Sequence, residues 1–434
     1  MIKKIISKLK SKNFSVCIVG LGYVGLPLVS RFLKAKIKVF GIDADQNKIN
    51  TLRNGSLYLQ SIDKSTAKYF KKNKKNLSTG YQIINKCDVL IICLPTPLKK
   101  NSKEPDMSCI FNCAKSLKKN IRENQIIILE STVYPGATKQ FVKNLINKKF
   151  IVGKNIFIGY SPERENPGDK KFNYKNTPKV ISGYTPNCLL LIKIIYNFFV
   201  KKLILVEKIE EAELSKLLEN LYRAVNIGLV NELKVVCHKL NIDVINTINI
   251  AATKNFGFQK FLPGPGLGGH CIPIDPFYLS WISKKKGYVP RFINLAGIIN
   301  SKIPEWTIEQ VLKKIEKSKK IKILLLGLSY KKNVDDDRES PAYEFMKIFK
   351  RKKIQYDYHD PYFNKARKGR NTNENKKSIT LNKKNLSKYD ASILLTDHDV
   401  FDYKLIAKHS KLIFDTRGKF KEIKLKNYKN IIFC

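Results

Sequence analysis

Short apolar runs alternate with stretches of helical periodicity through the first half of the chain. Apolar runs of about four to eight residues between turn residues are typical of buried strands, and their alternation with helices is typical of a parallel sheet. The predicted strands are Phe14–Val19, Ile37–Ile42, Asp88–Leu94, Gln125–Leu129, Ile156–Tyr160, Val180–Gly183 and Lys202–Val206. Residues 1–206 are therefore predicted to form an α/β domain with a doubly wound sheet.

The hydrophobic period changes at about Glu207. The residues that recur there at helical spacing, without proline, are Leu214, Leu217, Leu218, Leu221, Val225, Gly228 and Leu229. This spacing predicts one long helix, which would serve as a spine between domains or as a dimer interface. Residues 207–317 are therefore predicted to form a central helical domain.

A second α/β pattern begins near Ser318. Its predicted strands are Ile321–Gly327, Ile354–Tyr358, Ala391–Leu395 and Leu412–Asp415. The first of them leads into Gly327-Leu328-Ser329 rather than a full glycine fingerprint, so residues 318–434 are predicted to bind a nucleotide other than NAD. The polar segment Lys365–Lys384 is predicted to be a mobile surface loop. The predicted fold is two Rossmann-like doubly wound domains joined by a helical domain.

A glycine motif follows the first strand. The chain reads Gly20-x-Gly22-x-x-Gly25 and then a helix, and the second strand ends at Asp43. Such glycines allow the backbone to approach a pyrophosphate, while the acid binds ribose hydroxyls and would repel a 2′-phosphate. The alternative is an ordinary strand-to-helix turn, but strand, helix, second strand and terminal acid occur together here. The motif therefore predicts an NAD site.

Polar residues follow several other strands of the first domain. Thr96, Thr132 and Glu163 each come just after a predicted strand. Because ligands bind at the carboxyl ends of strands in a doubly wound sheet, we expect these side chains to point towards the cofactor crevice. Either threonine alone could instead be a helix N-cap.

The segment from Gly257 to Trp281 contains one thiol in a loop rich in glycine and proline. These two residue types fill every position from Pro263 to Gly269 except Leu267, which excludes a regular helix or strand. Cys271 follows, and Asp275 is predicted to cap a helix that begins at Pro276. A helix N-terminus favours the thiolate form of a nearby cysteine, so Cys271 is a candidate nucleophile. The alternative is a buried structural cysteine.

The charge distribution, the apolar runs and the cysteines of the chain limit the kinds of partner that it is expected to bind. The net charge of +46 would suit nucleic acid, but lysines are spread along the whole chain, so we expect no nucleic-acid partner. No apolar run reaches the length of a membrane span, and we expect no membrane contact. The nine cysteines form no Cys-x-x-Cys pair and no zinc pattern, which predicts a cytoplasmic protein without a metal site.

Six motifs together resemble the UDP-glucose/GDP-mannose dehydrogenase family over almost the entire chain. They are Gly20–Gly25, Glu130–Thr132, Ser161–Glu163, Ala212–Lys216 with Asn220, Gly268–Cys271 with Asp275, and Ser329–Ser340. The resemblance implies an NAD-dependent, four-electron oxidation of the C6 hydroxymethyl group of a UDP-sugar to the uronic acid, for surface polysaccharide synthesis. A non-catalytic sugar-nucleotide binder would be expected to lack Cys271 or Lys216, and both are present.

The resemblance also implies roles for individual residues. Cys271 matches the nucleophile, and the residues expected to assist it are Lys216, Asn220, Asp275, Glu163 and Thr132. Those expected to bind NAD are Gly20, Gly22, Val24, Gly25, Asp43, Lys48, Thr96, Thr132 and Arg338. Those expected to bind the UDP-sugar are Glu163, Lys216, Asn220, Gly268 and Lys331. Lys216 and Asn220 lie four residues apart and so share one helix face, although a solvated lysine and an unrelated amide are the alternative.

The loop around the thiol is most similar to the branch that oxidises UDP-N-acetylhexosamines. UDP-N-acetylglucosamine is therefore the expected substrate, with the N-acetylgalactosamine, N-acetylmannosamine and glucose nucleotides as alternatives. Pro167 stands where UDP-glucose dehydrogenases have a second acid, and nearby Glu165 cannot take that role by closeness alone. His270 stands where UDP-glucose dehydrogenases have a serine, and it is expected to orient the loop, with a base near the thiol as the alternative. The expected assembly is a homodimer or a higher homo-oligomer.

Overall fold

The chain forms two compact units, Met1–Glu219 and Asn220–Cys434. The computed structural model describes residues 1–59, 62–99, 102–164, 176–269, 272–315, 320–366, 368–369, 372–425 and 428–434. In this part of the chain, every helix is too short or too polar to span a bilayer.

The first unit is built on an eight-stranded sheet. Its strands are β1 (Ser15–Val19), β2 (Lys38–Ile42), β3 (Leu77–Ser78), β4 (Val89–Ile92), β5 (Ile126–Leu129), β6 (Phe157–Tyr160), β7 (Lys179–Gly183) and β8 (Leu203–Val206). They lie in the order β3-β2-β1-β4-β5-β6-β7-β8, and only the β6–β7 pair is antiparallel. The order reverses between β1 and β4, which is the switch point where Rossmann sheets bind dinucleotides.

Helices cover the faces of this sheet. They are α1 (Ile2–Lys10), α2 (Gly25–Lys34), α3 (Gln46–Arg53), α4 (Lys64–Lys72), α5 (Ser108–Lys118), α6 (Ala137–Leu145) and α7 (Pro186–Tyr196), with 3₁₀ turns at Lys74–Asn76 and Tyr81–Lys86. All residues of β1, β4, β5 and β6 are buried. Continuous burial explains why these strands are apolar at nearly every position rather than alternating, because a central parallel strand is covered on both faces.

The long helix predicted from the change of period is present as α8 (Ile209–Lys239), with 31 residues. It begins in the first unit and ends in the second. The second unit continues with α9 (Val244–Ala251), α10 (Asp275–Lys285) and α11 (Arg291–Lys314). A Cβ at Gly228 of α8 would lie 3.4 Å from the Cα of Ala296, so this glycine allows α8 and α11 to pack closely. The predicted domain boundaries after residues 206 and 317 stay predictions.

A second parallel sheet forms the C-terminal part of the second unit. Its strands are β9 (Lys322–Leu326), β10 (Gln355–His359), β13 (Ala391–Leu394), β14 (Ile413–Asp415) and β15 (Ile431–Phe433), in the order β10-β9-β13-β14-β15. Its helices are α12 (Pro341–Arg351), α13 (Lys383–Leu386), α14 (Tyr403–His409) and α15 (Lys419–Glu422). Ile323 and Leu325 enter one apolar core, and Leu324 and Leu326 enter the other. The prediction of two Rossmann-like domains and a long helix is confirmed.

The predicted surface loop Lys365–Lys384 is partly wrong. It contains the short antiparallel pair β11 (Lys368–Gly369) and β12 (Thr372–Asn373). Glu374 is buried and accepts a hydrogen bond of 3.1 Å from the hydroxyl of Tyr356, and the N–H of Ile379 donates to the carbonyl of Tyr358. The composition of the segment suggested solvation, but buried tyrosine hydroxyls need partners, and this segment supplies them.

Candidate functional site

The glycine motif forms a tight connection between β1 and α2. Gly20 has a φ of +94°, and a Cβ at Gly25 would lie 1.9 Å from the carbonyl oxygen of Gly20. Both positions therefore require glycine. Around Gly22, by contrast, no heavy atom of the described residues other than its own chain neighbours lies within 4 Å of the place where a Cβ would be. Val24 directly precedes the first residue of α2, so the loop opens onto a helix N-terminus.

Asp43 is fixed at the carboxyl end of β2. Its Oδ2 accepts a hydrogen bond of 2.9 Å from the N–H of Leu21, and its Oδ1 accepts one of 3.0 Å from Asp45. The ammonium group of Lys48 lies 3.2 Å from Oδ2. The open space at Gly22, the helix N-terminus and the held carboxylate fit the diphosphate and the ribose of NAD. That these particular residues contact NAD stays a prediction.

The ends of β4 and β5 meet as predicted. The hydroxyl of Thr96 donates to the carbonyl of Thr132 at 2.8 Å, and the hydroxyl of Ser131 donates to the carbonyl of Leu94 at 2.7 Å. Neither threonine caps a helix, since α5 begins at Ser108 and α6 begins at Ala137. The alternative reading of the two threonines as N-caps is therefore wrong.

Glu163 lies after β6 among positive charges. Its Oε2 is 3.5 Å from Nζ of Lys179 and 3.8 Å from Nη1 of Arg31, and its Oε1 accepts a hydrogen bond from the N–H of Arg164. Burial alone would raise the pKa of Glu163. The charges of Lys179, Arg31 and Lys216, with the N–H of Arg164, outweigh burial and hold that pKa below its usual range. The carboxylate form is therefore favoured, as a group that accepts a proton requires.

Sequence reasoning missed Glu213, which lies one turn before Lys216 on α8. This buried carboxylate accepts hydrogen bonds from the N–H groups of Gly136 and Thr138 and from the hydroxyl of Thr138, at the start of α6. Burial raises the pKa of Glu213 to about 7 despite these hydrogen bonds. Glu213 therefore ties the helix of Lys216 to the segment that follows Thr132. A glutamate at an apolar position of the helical pattern was the available signal.

Asn220 and Asp275 meet in the second unit. The amide Nδ2 of Asn220 donates to Oδ2 of Asp275, and Nη2 of Arg223 donates to Oδ1 of Asn220. Both Asn220 and Asp275 are buried. Asp275 is the first residue of α10 and not its cap, which is Ile274. The predicted cap was wrong by one position, because the carboxylate of Asp275 is used by Asn220.

The glycine-rich loop belongs to the second unit and is held there at Gly264. The N–H of Gly264 donates to Oδ1 of Asn231 at 2.9 Å, and Nζ of Lys234 donates to the carbonyl of Gly264 at 3.0 Å. A Cβ at Gly268 would lie 2.8 Å from Pro341, so packing within the protein requires this glycine. Its expected place beside the sugar stays a prediction. Cys271, His270 and Glu165 lie outside the described residues.

The loop after β9 faces this glycine-rich segment. The N–H of Gly269 donates to the carbonyl of Arg338, whose guanidinium forms an ion pair with Asp336 at 2.7 Å. Lys331 is half-buried in the same loop. Sequence reasoning missed the half-buried Arg417, which donates to the carbonyl of Leu395 and would lie 2.9 Å from a Cβ at Gly264. Its position just after β14, at a strand's carboxyl end, was the available signal.

Comparison with protein families gives a match along most of the chain. Residues 14–200 match the NAD binding domain of the UDP-glucose/GDP-mannose dehydrogenase family, residues 210–302 its central domain and residues 324–422 its UDP binding domain.

Individual proteins are similar over nearly the whole chain. UDP-N-acetyl-D-glucosamine 6-dehydrogenase of Pseudomonas aeruginosa is 34% identical over 358 residues, covering 81% of this chain and 83% of the relative. UDP-N-acetyl-D-mannosamine dehydrogenase of Methanococcus maripaludis is 32% identical, covering 93% and 92%. The solved structure of a UDP-D-ManNAc dehydrogenase from Pyrococcus horikoshii is 28% identical with a TM-score of 0.84, covering 96% and 98%.

Proposed function

We propose a specific reaction for this chain, which belongs to the UDP-glucose/GDP-mannose dehydrogenase family and is an NAD-dependent nucleotide-sugar dehydrogenase. The reaction is the four-electron oxidation of the C6 hydroxymethyl group of a UDP-N-acetylhexosamine to the uronic acid. UDP-N-acetylglucosamine is the proposed substrate, which the relative from Pseudomonas aeruginosa supports. UDP-N-acetylmannosamine is the second candidate, because the relative from Methanococcus maripaludis, which is named for that sugar, is similar over 93% of the chain. The proposed role is in the synthesis of surface polysaccharide.

The observation that carries this proposal is the arrangement along α8. Lys216 and Asn220 lie one helical turn apart. Each of them interacts with an acidic residue that the sequence analysis had already proposed for the site. The charge of Lys216 acts on Glu163, and the amide of Asn220 binds Asp275. The first unit therefore pairs Lys216 with Glu163 through charge, and the second pairs Asn220 with Asp275 through a hydrogen bond.

Cys271 is the proposed nucleophile in a sequence of two oxidations. NAD, when bound, accepts the hydride that leaves C6 in each oxidation. Loss of the first hydride and the hydroxyl proton gives an aldehyde, to which the thiolate adds to form a thiohemiacetal. Loss of the second hydride, together with the hydroxyl proton of the thiohemiacetal, gives a thioester. Water then breaks the carbon–sulfur bond, which releases the uronic acid and the free thiol.

The other proposed roles follow from charge and position. Lys216 stabilises the negative oxygen that forms at C6, and Asn220 holds an ordered water. Glu163 accepts the proton of the hydrolytic water, with Asp275 and Thr132 as further partners of that water. The remaining proposed contacts are Gly268 and Lys331 with the UDP-sugar, and Gly20, Gly22, Val24, Gly25, Asp43, Lys48, Thr96 and Arg338 with the cofactor.

A panel of UDP-sugars tests the proposal. We expect UDP-N-acetylglucosamine to give the highest kcat/KM and two NADH per sugar, measured against the N-acetylmannosamine, N-acetylgalactosamine and glucose nucleotides. Cys271→Ser should stop turnover near the aldehyde or at a slow ester, as intact-protein mass and the NADH yield would report. Cys109→Ser is the matched control, because this cysteine is exposed on α5. Two NADH per sugar at a normal rate from Cys271→Ser would rule out the covalent route.

A homodimer through α8 is also proposed. The large apolar residues that α8 exposes are Leu214, Leu218, Tyr222, Leu229 and Val236, between 39% and 62% accessible. Their spacing of four and seven residues places them along one side of the helix. An exposed apolar stripe of this length is typical of a protein interface.

Sedimentation at micromolar concentration tests the dimer. We expect Leu229→Glu to shift the protein towards the monomer, because a charge would be buried without a partner. Leu190→Glu is the control, since Leu190 is also an exposed apolar residue but lies on α7. A wild-type protein that sediments as a fully active monomer would contradict the proposed interface.

A further inference from the structure

A cluster of buried charges lies behind Glu163 in the first unit. Arg31 of α2, Glu130 after β5 and Lys179 at the start of β7 are each at most 6% accessible. Burying charges is costly unless they are paired, so a cluster from three separate elements requires an explanation. None of these three side chains is used by the proposed reaction.

Lys179 is the centre of the cluster. Its Nζ lies 3.5 Å from Oε2 of Glu163, 3.3 Å from Oε1 of Glu130 and 3.4 Å from the carbonyl oxygen of Pro162. The same ammonium group therefore contacts the Glu163 carboxylate and the backbone that immediately precedes it. Arg31 is farther from Glu163, at 3.8 Å. Lys179 is the cation best placed to fix both the charge and the direction of Glu163.

Glu130 competes for the same ammonium group. The hydroxyl of Tyr196 donates to its Oε1, while its Oε2 has no hydrogen-bond partner among the described residues. Burial raises the pKa of Glu130, and the negative charge of Glu163 raises it further, against the opposing effect of Lys179. The two carboxylates therefore oppose each other's ionisation across one shared cation.

We propose that Lys179 is a positioning residue that keeps Glu163 ionised and directed at the reacting water, and that Glu130 sets how strongly it does so. This inference rests on the proposed function only for the role of Glu163. The geometry of the shared ammonium group stands independently of the substrate.

The proposal predicts opposite effects from two substitutions. Lys179→Met removes the nearest positive charge and should raise the pKa of Glu163. Glu130→Gln removes a negative neighbour and should lower it. The other groups that act on Glu163 remain in both variants: Arg31 from α2, Lys216 from α8, the N–H of Arg164 and the Cys93 thiol after β4. General damage to the fold would not shift one group in two directions.

Carbon-13 NMR of protein labelled at the glutamate carboxyl carbons measures the titration of Glu163 directly, with Glu163→Gln used to assign the signal. The pH profile of kcat with NAD and a UDP-sugar gives the second readout. For Lys179→Met we expect the acid limb of the profile to move to higher pH, with kcat about tenfold lower at the acid end. The KM for NAD should stay the same, Lys179→Arg should restore most of the rate, and the exposed Lys201→Met should behave as wild type.

The two readouts separate the possible failures. If the wild type oxidises none of the UDP-sugars tested, the proposed function fails, but the NMR titration still decides the role of Lys179. If Lys179→Met does not fold, the Glu130→Gln variant tests the proposal instead. A lowered pKa of Glu163 in that variant would support the proposal that Glu130 and Glu163 share the ammonium group of Lys179. An unchanged titration of Glu163 in the folded variants would overturn the proposal.

Discussion

The two Rossmann-like sheets begin with the same turn and then use it differently. Gly20 after β1 and Gly327 after β9 have φ values of +94° and +98°. Each donates its N–H to the last residue of the neighbouring strand, at 2.7 and 2.8 Å. The residue that follows each neighbouring strand is an aspartate, Asp43 after β2 and Asp360 after β10. Each aspartate accepts a hydrogen bond from the N–H of the residue directly after the glycine, which is leucine in both loops.

The remaining partners of the two aspartates differ. Asp43 has a half-exposed lysine, Lys48, at 3.2 Å. Asp360 accepts hydrogen bonds from the N–H and hydroxyl of Ser329 and from Nε2 of His398, whose side chain is fully buried. The side chain of Asp43 keeps 10% of its surface accessible beside a helix N-terminus and so stays available to a ligand, whereas the side chain of Asp360 is fully buried and is consumed by its own domain. Topology sets the place of the acid, and its neighbours decide whether that acid serves a ligand or the fold.

The largest expected effect comes from removing the internal acid. Asp360→Ala should destabilise the folded protein by about 3 to 5 kcal/mol, because it leaves several buried donors without an acceptor. Urea unfolding measures this loss, with a probe attached to the C-terminal half of the chain to report when that half unfolds. Asp399→Ala is the control in the same unit, since Asp399 is exposed in the loop after β13 and its loss should cost less than about 1 kcal/mol. Equal losses in the two variants would contradict an internal role for Asp360.

The elements on which this comparison rests were predictable from the sequence, but the partners of Asp360 were not. Strands, the long helix and the glycine motif follow from local periodicity and turn residues, which act over short distances. The motif Gly327-Leu328-Ser329 indicated a different nucleotide site. His398 lies 38 residues after Asp360, and its partnership depends on tertiary contacts that no local pattern encodes.

The same limit applies to the candidate site. Glu163 and Lys216 were found because they lie in motifs, but the cations that fix Glu163 were not. Lys179 is one lysine in a chain where lysines are common throughout, so neither its type nor its spacing distinguishes it. Only the convergence of α2, β5 and β7 shows that its ammonium group is buried between two carboxylates.

The second prediction concerns the available acid. Asp43→Asn should weaken NAD binding by about tenfold to a hundredfold, because a charged acceptor for the ribose hydroxyls is replaced by a neutral one. The stability should change less than in Asp360→Ala, since the amide oxygen can still accept from Leu21. Calorimetric titration with NAD and with NADP measures both affinities. In the variant, the affinity for NADP relative to that for NAD should be higher than in the wild type. An unchanged preference for NAD would show that another residue discriminates.

The third prediction separates the glycines of the first loop. Gly22→Ala should leave stability unchanged, since the Cβ meets open space, yet weaken NAD binding by about tenfold, because the methyl group occupies the approach of the diphosphate. Gly25→Ala is the contrasting variant, in which the Cβ would overlap the carbonyl of Gly20 and the fold should be destabilised. A Gly22→Ala protein that binds NAD as wild type would place the diphosphate elsewhere.

The smallest effect is expected for the cation beside Asp43. Lys48→Met should change the free energy of unfolding by less than about 1 kcal/mol, because a half-exposed ion pair is screened by water and salt. His398→Phe, which removes the corresponding partner of Asp360, should cost more, since it takes one donor from a buried carboxylate and leaves the N–H of Asn333 without its acceptor. Thermal unfolding of both variants at low and high salt measures the contrast, and only the small effect of Lys48→Met should fade as salt rises. If Lys48→Met were as destabilising as His398→Phe, the carboxylate of Asp43 would be part of the fold in the same way as that of Asp360, and the contrast between an available and a consumed acid would fail.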